Sequence, residues 1–332
     1  MTRRIMLVTH PSRPDIPDLV DEFADRLGAH GIEVELAPEG EPTHGKVADL
    51  GPTGDQAPTV DASGCELVVV FGGDGTILRG AEIARPAGTP LLGVNLGRVG
   101  FLAEAEREDV DAIVERIVTR DYLIERRMTV EVDVVHDGRV VCSTWALNEA
   151  SVEKSVRERM LEVAVEVDGR PLSTWGCDGV VMATPTGSTA YAFSAGGPIM
   201  WPDVEALLLV PISAHALFAR PLVLGPDTRL AIEVVPHSYV PGVMWCDGRR
   251  SVELPAGARV EVRRSETPVL LARLTQGPFT DRLVAKFGLP VSGWRGPAPG
   301  GPGRLKTQVG HDTVAFHDSD RAASPGGPED GV

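Results

Sequence analysis

The sequence predicts an α/β N-terminal domain with a parallel sheet, followed by a β-rich C-terminal domain. In the first third of the chain, apolar runs typical of buried strands alternate with patterns of helical period, which is the signature of a parallel sheet covered on both faces. From about Tyr122 onward, strand-like runs separated by turn pairs dominate. A final stretch rich in Pro, Gly and charge lacks the apolar surface needed to fold.

The elements of the first domain follow in order. Buried-type strands are predicted at Ile5–Val8, Ile32–Leu36, Leu67–Phe71 and Leu91–Val94, and helices at Ile16–Ala29 and Val110–Val118. Residues 37–63 are rich in Pro, Gly, Thr and Asp, and this composition predicts a long, mobile loop.

The second domain is read as a series of strands closed by one helix. The strands are predicted at Thr129–Val135, Val140–Leu147, Leu161–Val167, Arg229–Val235, Val260–Arg263 and Val269–Leu274, and the helix at Thr280–Phe287. The domain boundaries are therefore set at 1–121 for the α/β domain and 122–278 for the β-rich domain. Residues 279–295 carry the helix, which is expected to pack back on the first domain, and 296–332 form a disordered tail.

Composition restricts the function. The 332 residues carry a net charge of −15, which disfavours nucleic acid and anionic membranes as partners. Any phosphate site must therefore be local, built from glycine amides, a helix N-terminus, a few arginines and a metal ion. The four cysteines show no C-x-x-C spacing, so neither a zinc site nor a redox pair is expected. No apolar run is long enough to span a membrane, and a cytoplasmic protein is the simple expectation.

The most telling turn is Gly72-Gly73-Asp74-Gly75-Thr76, which lies between a buried strand and a helix. Successive amides at such a turn bind anions, and glycines allow close approach of a ligand. Thr76 is a candidate cap for the helix. A plain tight turn is the alternative. The chain has no G-x-x-x-x-G-K-[ST] and no G-x-G-x-x-G after a strand, which argues against a P-loop enzyme and against a dehydrogenase.

Three further polar stretches follow predicted strands. Asn95, Gly97 and Gly100 lie after the fourth strand, either at a ligand site or in an ordinary loop. Asn148-Glu149 offers an amide and a carboxylate for a base or a ribose, although taken alone this pair favours a capping Asn. Residues 176–202 are too dense in hydroxyls and glycines to be core material, and they form a polar surface for close approach. His215 is read as structural, and Asp247 as part of a hairpin turn or, less favoured, of the site.

These stretches together resemble an NAD kinase of the bacterial, actinobacterial-like type. The resemblance rests on FGGDGT, NLGRVGFL, LNEASVEK, CDGVVMATPTGSTAYAFSAGGP, PISAHALFARPL and FTDRLVAKFGLP, in this order, and spans roughly Ile5 to Arg295. It implies the two-domain fold with NAD at the junction, and ATP or polyphosphate as phosphoryl donor. It also implies a divalent metal such as Mg²⁺, and a homodimer or homotetramer.

The resemblance also implies site roles. Asp74 is the expected catalytic residue, contacting the 2′-hydroxyl of NAD. The other expected NAD-binding residues are Gly75, Asn148, Glu149, Asp178, Thr186, Thr189, Ala190, Tyr191 and Ser194. The donor phosphates are expected on the turn, at Gly72, Gly73, Gly75 and Thr76, with Arg79 and Arg98 as further candidates. No metal ligands are assigned, because the donor phosphates themselves are expected to hold most of the Mg²⁺ coordination.

Two other readings remain open from the sequence. A lipid kinase also uses a GGDGT turn, but it needs an apolar groove, for which residues 184–191 are too polar. A non-enzymatic NAD sensor would bind the dinucleotide without needing Asp74, and the intact GGDGT turn argues against it.

Overall fold

The structure, a computed structural model, describes residues 2–10, 16–38, 47–48, 60, 62–96, 100–103, 105–106, 110–157, 159–275 and 277–291. The strands are β1 (Arg3–Thr9), β2 (Ile32–Leu36), β3 (Val47–Ala48), β4 (Leu67–Phe71), β5 (Leu91–Asn95), β6 (Ala105–Glu106), β7 (Leu123–Arg127), β8 (Val130–His136), β9 (Arg139–Ala146), β10 (Glu149–Lys154), β11 (Leu161–Val167), β12 (Arg170–Cys177), β13 (Gly179–Ala183), β14 (Leu207–Ile212), β15 (Leu222–Leu224), β16 (Leu230–Val234), β17 (Gly242–Cys246), β18 (Arg250–Leu254), β19 (Arg259–Arg264) and β20 (Val269–Arg273). The α-helices are α1 (Ile16–Ala29), α2 (Asp74–Ala84), α3 (Val110–Thr119), α4 (Tyr191–Ser194) and α5 (Phe279–Phe287).

The first sheet has the strand order β2-β1-β4-β5-β20-β7, with β6 on β5, and all its pairs except β20–β7 are parallel. The alternate residues of β1 show why both faces are covered. Ile5 and Leu7 share a core with the apolar faces of α1 and α3, whereas Met6 and Val8 share one with α2. The apolar runs of the sequence therefore belong to strands buried on both sides. This confirms the predicted α/β domain.

The β-rich domain consists of two sheets packed face to face. One has the order β15-β14-β13-β10-β17-β18-β3, and the other β12-β11-β16-β19-β8-β9. Alternate side chains of the two sheets fill a single core, in which Val132 and Ile232 of one sheet join Val152 and Met244 of the other. The alternation of apolar and polar residues that predicts these strands therefore marks their inward faces.

One predicted strand lies in a different sheet from the one expected. The sequence interpretation places 269–274 in the β-rich domain, but β20 pairs with β5 and β7 of the first sheet. Both of its faces are buried, with Leu271 in the core on the α2 side and Ala272 in the core on the α1 side. The chain thus returns from the sandwich to the first sheet before α5. Apolar alternation identifies a strand but carries no information on which sheet it joins.

The described residues up to Leu289 form one compact unit. Most of the predicted 37–63 loop and the predicted tail at 296–332 lie outside the described residues. Within the loop, Val47 and Ala48 pair in parallel with β18. Helix α5 contacts the segment after β5, because the rings of Phe279 and Phe287 lie 5.9 and 5.8 Å from that of Phe101. Within the described ranges, no helix is long and apolar enough to cross a membrane.

Candidate active site

The GGDGT turn joins the carboxyl end of β4 to the first turn of α2. Helix α2 begins at Asp74, and Gly73 is its N-cap, with an extended backbone (φ −86°, ψ −175°) and no side-chain cap. The N–H groups of Thr76 and Ile77 donate to the Gly73 carbonyl at 2.9 and 3.0 Å. Thr76 therefore lies inside the first turn and does not cap the helix, contrary to the sequence interpretation. The carboxylate of Asp74 stands at the positive end of the helix.

The three glycines of this turn differ in what surrounds them. The Gly72 N–H donates to the Val94 carbonyl at 3.0 Å, so this amide belongs to the sheet and not to an anion site, where the sequence interpretation placed it. Gly73 and Gly75 are exposed, and a Cβ on either would meet nothing within 4 Å. The packing of the protein itself does not require glycine at 73 and 75, and the open space is where a ligand can approach the backbone.

The Asp74 carboxylate is held by the segment that follows β5. It accepts hydrogen bonds from the backbone N–H groups of Phe101 (3.3 Å) and Leu102 (3.2 Å). The segment passes so close that a Cβ on Gly100 would lie 2.4 Å from Asp74 Oδ1. The polar stretch after the fourth strand thus positions the carboxylate, and glycine at 100 is required by this approach.

Arg79 of α2 binds the ends of two neighbouring strands. Its guanidinium donates to the Thr9 carbonyl at 3.3 Å, and also to the Pro38 carbonyl. These bonds tie the segments after β1 and β2 to α2 beside the GGDGT turn. The other candidate arginine for the donor phosphates, Arg98, lies outside the described residues.

Asn148 and Glu149 form the connection between β9 and β10, and both are buried, with 8% and 7% of their surface exposed. Burial, followed by the nearby Asp247 carboxylate, raises the pKa of Glu149 to about 8. Its Oε2 atom is buried without a hydrogen-bond partner among the described residues. A buried acceptor without a partner is unfavourable unless a ligand supplies a donor.

Asp247 supports this connection from the β17–β18 hairpin. Its buried carboxylate accepts hydrogen bonds from the N–H groups of Leu147 (3.0 Å), Asn148 (2.7 Å) and Glu149 (3.4 Å), and it pairs with Arg250 at 2.9 Å. The turn that the sequence predicts is present, with Asp247 at φ +54°. The side chain, however, does more than close a hairpin, because it fixes the backbone that carries Asn148 and Glu149.

The hairpin is in turn attached to α2. Arg249 donates two hydrogen bonds, at 3.0 and 3.1 Å, to the Glu82 carboxylate. Both side chains are largely buried, with 12% and 20% exposed. This bidentate pair connects the helix that begins at Asp74 to the hairpin that positions Glu149. The sequence alone singles out neither Arg249 nor Glu82, because charged residues beside a turn or on a helix are usual on protein surfaces.

The TPTGST segment (residues 184–189) is hydrogen-bonded to the connection between β9 and β10. Thr184 donates its N–H to the Asn148 carbonyl at 2.9 Å and its hydroxyl to the Leu147 carbonyl at 2.5 Å. Gly187, in a 3₁₀ turn spanning Thr186–Thr189, lies so close that a Cβ would be 2.0 Å from the Asn148 oxygen. The density of hydroxyls and glycines in this stretch therefore has a structural cause, which is close contact between two backbones.

The remaining predicted contact residues follow the 3₁₀ turn. Thr189, Ala190 and Tyr191 are half-buried, and Ser194 at the end of α4 is exposed. The Tyr191 hydroxyl donates to Glu153 at 3.3 Å, and burial together with this carboxylate raises the pKa of Tyr191 to about 12. The phenol therefore stays neutral near pH 7 and can both donate and accept.

Asp178 lies apart from these residues. It precedes β13, whereas the TPTGST segment follows β13, so the two lie about 20 Å apart along the strand. Asp178 pairs with Lys154 at 2.5 Å, and the hydrogen bond from Lys154 lowers its pKa. His215 is next to it, with its N–H donating to the Gly176 carbonyl at 2.8 Å.

The GGDGT turn and the Asn148 connection are brought together by one hydrophobic cluster. Ile77 of α2, Leu102 and Leu147 are all buried in it. Leu102 donates its N–H to Asp74, and Leu147 donates its N–H to Asp247. The Asp74 carboxylate and the backbone that leads to Glu149 are therefore both attached to this cluster.

Comparison with known proteins identifies the family. The ATP-NAD kinase N-terminal domain family matches residues 5–122, and the ATP-NAD kinase C-terminal domain family matches residues 147–274. The chain is 59% identical to NAD kinase 2 of Streptomyces coelicolor over 297 residues, which covers 89% of this chain and 97% of that protein. It is 60% identical over 302 residues to the NAD kinase of Thermobifida fusca, covering 89% and 92%. The chain belongs to the NAD kinase family.

Solved structures show the same fold. The structure of yeast NADH kinase with NADH superposes with a TM-score of 0.74 at 23% identity, and covers 87% of this chain and 89% of that one. The structure of the NAD kinase of Archaeoglobus fulgidus with ATP gives a TM-score of 0.65 at 27% identity, covering 85% and 98%. The expected membership of the NAD kinase family, the two-domain fold and the kinase class are confirmed.

The side chains that the structure describes offer few ligands for a metal. The described residues contain no group of three or more His, Cys, Asp and Glu side chains that could hold an ion. Asp74 is a carboxylate beside an open, amide-lined turn, which fits a cation whose other ligands come from a bound phosphate chain.

Proposed function

We propose that the protein transfers the terminal phosphoryl group of ATP, or of polyphosphate, to the 2′-hydroxyl of the adenosine ribose of NAD, with Asp74 as the catalytic residue. The observation that carries the proposal is the placement of the Asp74 carboxylate. It stands beside an open, amide-lined turn and is held by the N–H groups of Phe101 and Leu102. Membership of the NAD kinase family supports the choice of acceptor.

Asp74 orients the hydroxyl and accepts its proton. The two amides fix the carboxylate, and its remaining lone pairs are available to a ligand hydroxyl. Phosphoryl transfer depends mostly on positioning and charge stabilisation, and in a loose transition state the proton leaves late. A carboxylate that is fixed in place therefore serves as the base without having to be a strong one.

The adenosine part of NAD lies against the Asn148–Glu149 connection. The buried Oε2 of Glu149 accepts a hydrogen bond from a ribose hydroxyl, which gives this orphaned atom its partner. The dinucleotide continues along β13, with its nicotinamide end toward Asp178. Other residues proposed to line the pocket are Gly75, Thr186, Thr189, Ala190, Tyr191 and Ser194.

The donor phosphates lie on the N-terminal turn of α2. The exposed backbone at Gly73 and Gly75 and the positive end of the helix favour anions there, while Gly72 and Thr76 complete the turn. Arg79 is adjacent and is proposed to contact the donor. Mg²⁺ is proposed to bind mainly through donor oxygens, where it would neutralise their charge.

We further propose a homodimer or homotetramer located in the cytoplasm. The support for assembly is an exposed apolar segment, in which the Leu217 side chain is fully exposed and that of Phe218 is half exposed. Contiguous exposed apolar side chains are typical of interfaces.

The test is to incubate the purified protein with NAD, ATP and Mg²⁺ and to measure NADP with an NADP-specific dehydrogenase. Asp74→Asn is expected to lower kcat by about 10²-fold or more with little change in NAD affinity. Asp18→Asn is the matched control, because Asp18 also lies in the first turn of a helix but is exposed. Polyphosphate replaces ATP in a parallel assay. If folded wild-type protein binds NAD but forms NADP with neither donor, the chain is a sensor and the proposal is wrong.

A further inference from the structure

A second polar cleft lies beside the catalytic segments and has no role in the chemistry proposed above. It has a volume of about 520 Å³ and is lined by residues of β7, β20, the start of α5 and the segment 201–203. Its charged and aromatic lining consists of three arginines (Arg127, Arg273, Arg282), two carboxylates (Glu125, Asp203) and two aromatic rings (Trp201, Phe279).

The three arginines supply the positive charge of the cleft. Arg127 and Arg273 are buried, with 4% and 7% exposed, and Arg282 is half-buried. Glu125 is shared between two of them, lying 3.0 Å from Arg127 Nε and accepting a hydrogen bond from Arg273 Nε. Glu125 is therefore the carboxylate that partly neutralises both buried arginines.

The guanidinium groups of the three arginines repel one another. Burial, followed by the charges of Arg273 and Arg282, lowers the pKa of Arg127 to about 10, although the Glu125 carboxylate acts in the opposite direction. Glu125 offsets part of this repulsion, and a bound anion would offset more of it. Asp203 is exposed, so its hydrated carboxylate offsets less of the arginine charge than Glu125 does.

Two contacts connect the cleft to the active site. Arg282 donates to the carbonyls of Phe101 (3.2 Å) and Ala103 (2.9 Å), on the segment whose amides hold Asp74. Arg127 donates to the Thr186 hydroxyl at 3.3 Å, in the segment proposed to bind NAD. A ligand that engages these arginines therefore acts directly on both segments.

An aromatic wall stands next to the cations. The Trp201 ring is about half exposed and meets Phe279 edge-on, with centroids 5.4 Å apart. An exposed indole face stacks well on a nucleobase. Guanidinium forks recognise phosphate oxygens in a bidentate manner.

We propose that this cleft is a second phosphate site, which takes the phosphate group of a nucleotide whose base lies against Trp201. Binding does not depend on the function proposed above, whereas its effect on turnover rests on that function. The phosphate belongs either to the far end of the donor nucleotide or to a separate effector nucleotide.

Binding of inorganic pyrophosphate to the full-length protein, saturated with NAD, is measured by calorimetry at low salt. Arg273→Gln is expected to weaken it about tenfold, because one charge-assisted fork is lost. Asp203→Asn is expected to tighten it about threefold, because a repelling charge is removed. Arg263→Gln and Asp227→Asn are the matched controls. Arg263 is likewise a strand arginine paired with carboxylates, and Asp227 is likewise exposed.

The outcome decides the proposal even if Arg273→Gln fails to fold, because Asp203 is exposed and its replacement leaves the core intact. Wild-type affinity in Asp203→Asn, or absence of pyrophosphate binding in the wild type, overturns the proposal. Trp201→Ala is expected to weaken ADP binding severalfold and to leave pyrophosphate binding unchanged.

Kinetics distinguish the two sources of the phosphate. If Arg273→Gln raises the KM for ATP about tenfold with kcat retained, the phosphate belongs to the donor. If the KM for ATP is unchanged while pyrophosphate binding is lost, the site serves a separate effector nucleotide. Failure of the chain to make NADP leaves the binding result intact, so the two proposals are tested independently.

Discussion

Replacement of Asp247 by Asn tests whether one buried carboxylate holds the connection that carries Asn148 and Glu149. Oδ2 of Asp247 accepts from Leu147 N–H and from Arg250, and Oδ1 accepts from the N–H groups of Asn148 and Glu149. An Asn side chain has almost the same shape, but one of its two positions becomes an NH₂ group. Whichever way the amide is turned, two donors lose their acceptor and face another donor.

The magnitude follows from these contacts. A buried hydrogen bond to a charged group contributes about 1.5–3 kcal/mol, and a buried donor left without a partner costs about 1–3 kcal/mol. Against this, burial raises the pKa of Asp247, so the neutral amide avoids part of the penalty for burying a charge. With two bonds lost and this partial offset, we expect the free energy of unfolding to fall by about 2 kcal/mol.

The pH dependence of NAD affinity distinguishes a specific effect of Asp247 on Glu149 from general destabilisation. The Asp247 charge contributes to raising the pKa of Glu149 to about 8. If NAD donates to the Glu149 carboxylate, its affinity rises as the pH passes upward through about 8 and then levels off. Without the neighbouring charge the pKa of Glu149 is lower, so Asp247→Asn shifts this midpoint to lower pH. Glu149→Gln is expected to show no such midpoint.

The assays are urea unfolding at pH 7 and NAD titration between pH 6 and 9. Asp168→Asn is the matched control, because Asp168 also occupies an Asp-Gly turn with positive φ, but its carboxylate accepts an exposed hydrogen bond from Arg229 N–H. A loss of less than about 0.5 kcal/mol in Asp247→Asn would refute the structural argument. An unchanged pH midpoint would refute the argument that the Asp247 charge raises the pKa of Glu149.

Three further outcomes are expected. Gly100→Ala places a Cβ 2.4 Å from Asp74 Oδ1, so kcat should fall at least tenfold while the melting temperature changes little, whereas Gly28→Ala, with open space around it, should leave kcat unchanged. Gly187→Ala meets the Asn148 oxygen at 2.0 Å, and chemical denaturation should show a loss of about 2 kcal/mol or more; wild-type stability would contradict the close contact. Glu66 has its pKa lowered from 4.5 to about 2, with Arg3 as the first cause, so its stabilisation is present above pH 4.5 and is lost as the pH falls toward 2. After allowance for solvent screening, Glu66→Gln should lower the unfolding free energy by about 1–2 kcal/mol at pH 7, and a difference from wild type that does not shrink on acidification would count against this pairing.

Much of the fold is predictable because its signals are local. The run LVVVF predicts a doubly buried strand, and β4 is one. The spacing of Ile16, Leu19, Val20, Phe23 and Leu27 predicts the buried face of α1, and these five residues are its buried ones. Strand or helix period is set by side-chain geometry within a few residues, so the sequence suffices.

The candidate site is predictable only in part. The GGDGT turn, Asn148-Glu149 and the TPTGST segment stand out because their glycines and hydroxyls are poor core material. What each residue contacts does not follow from composition. Gly72 donates its amide to Val94 on β5, and Thr184 donates to the Leu147 carbonyl just after β9, and both partners are distant in the sequence.

By itself, the sequence determined the type and order of the elements, the family and the candidate residues, since these depend on local patterns and motifs. The tertiary structure alone decided that β20 returns to the first sheet, that Asp247 holds the backbone beside Glu149, and that Arg127, Arg273 and Arg282 meet in one cleft. Arg127 lies far from Arg273 and Arg282 in the sequence. Chain folding sets such distances, and no local pattern of residues records them.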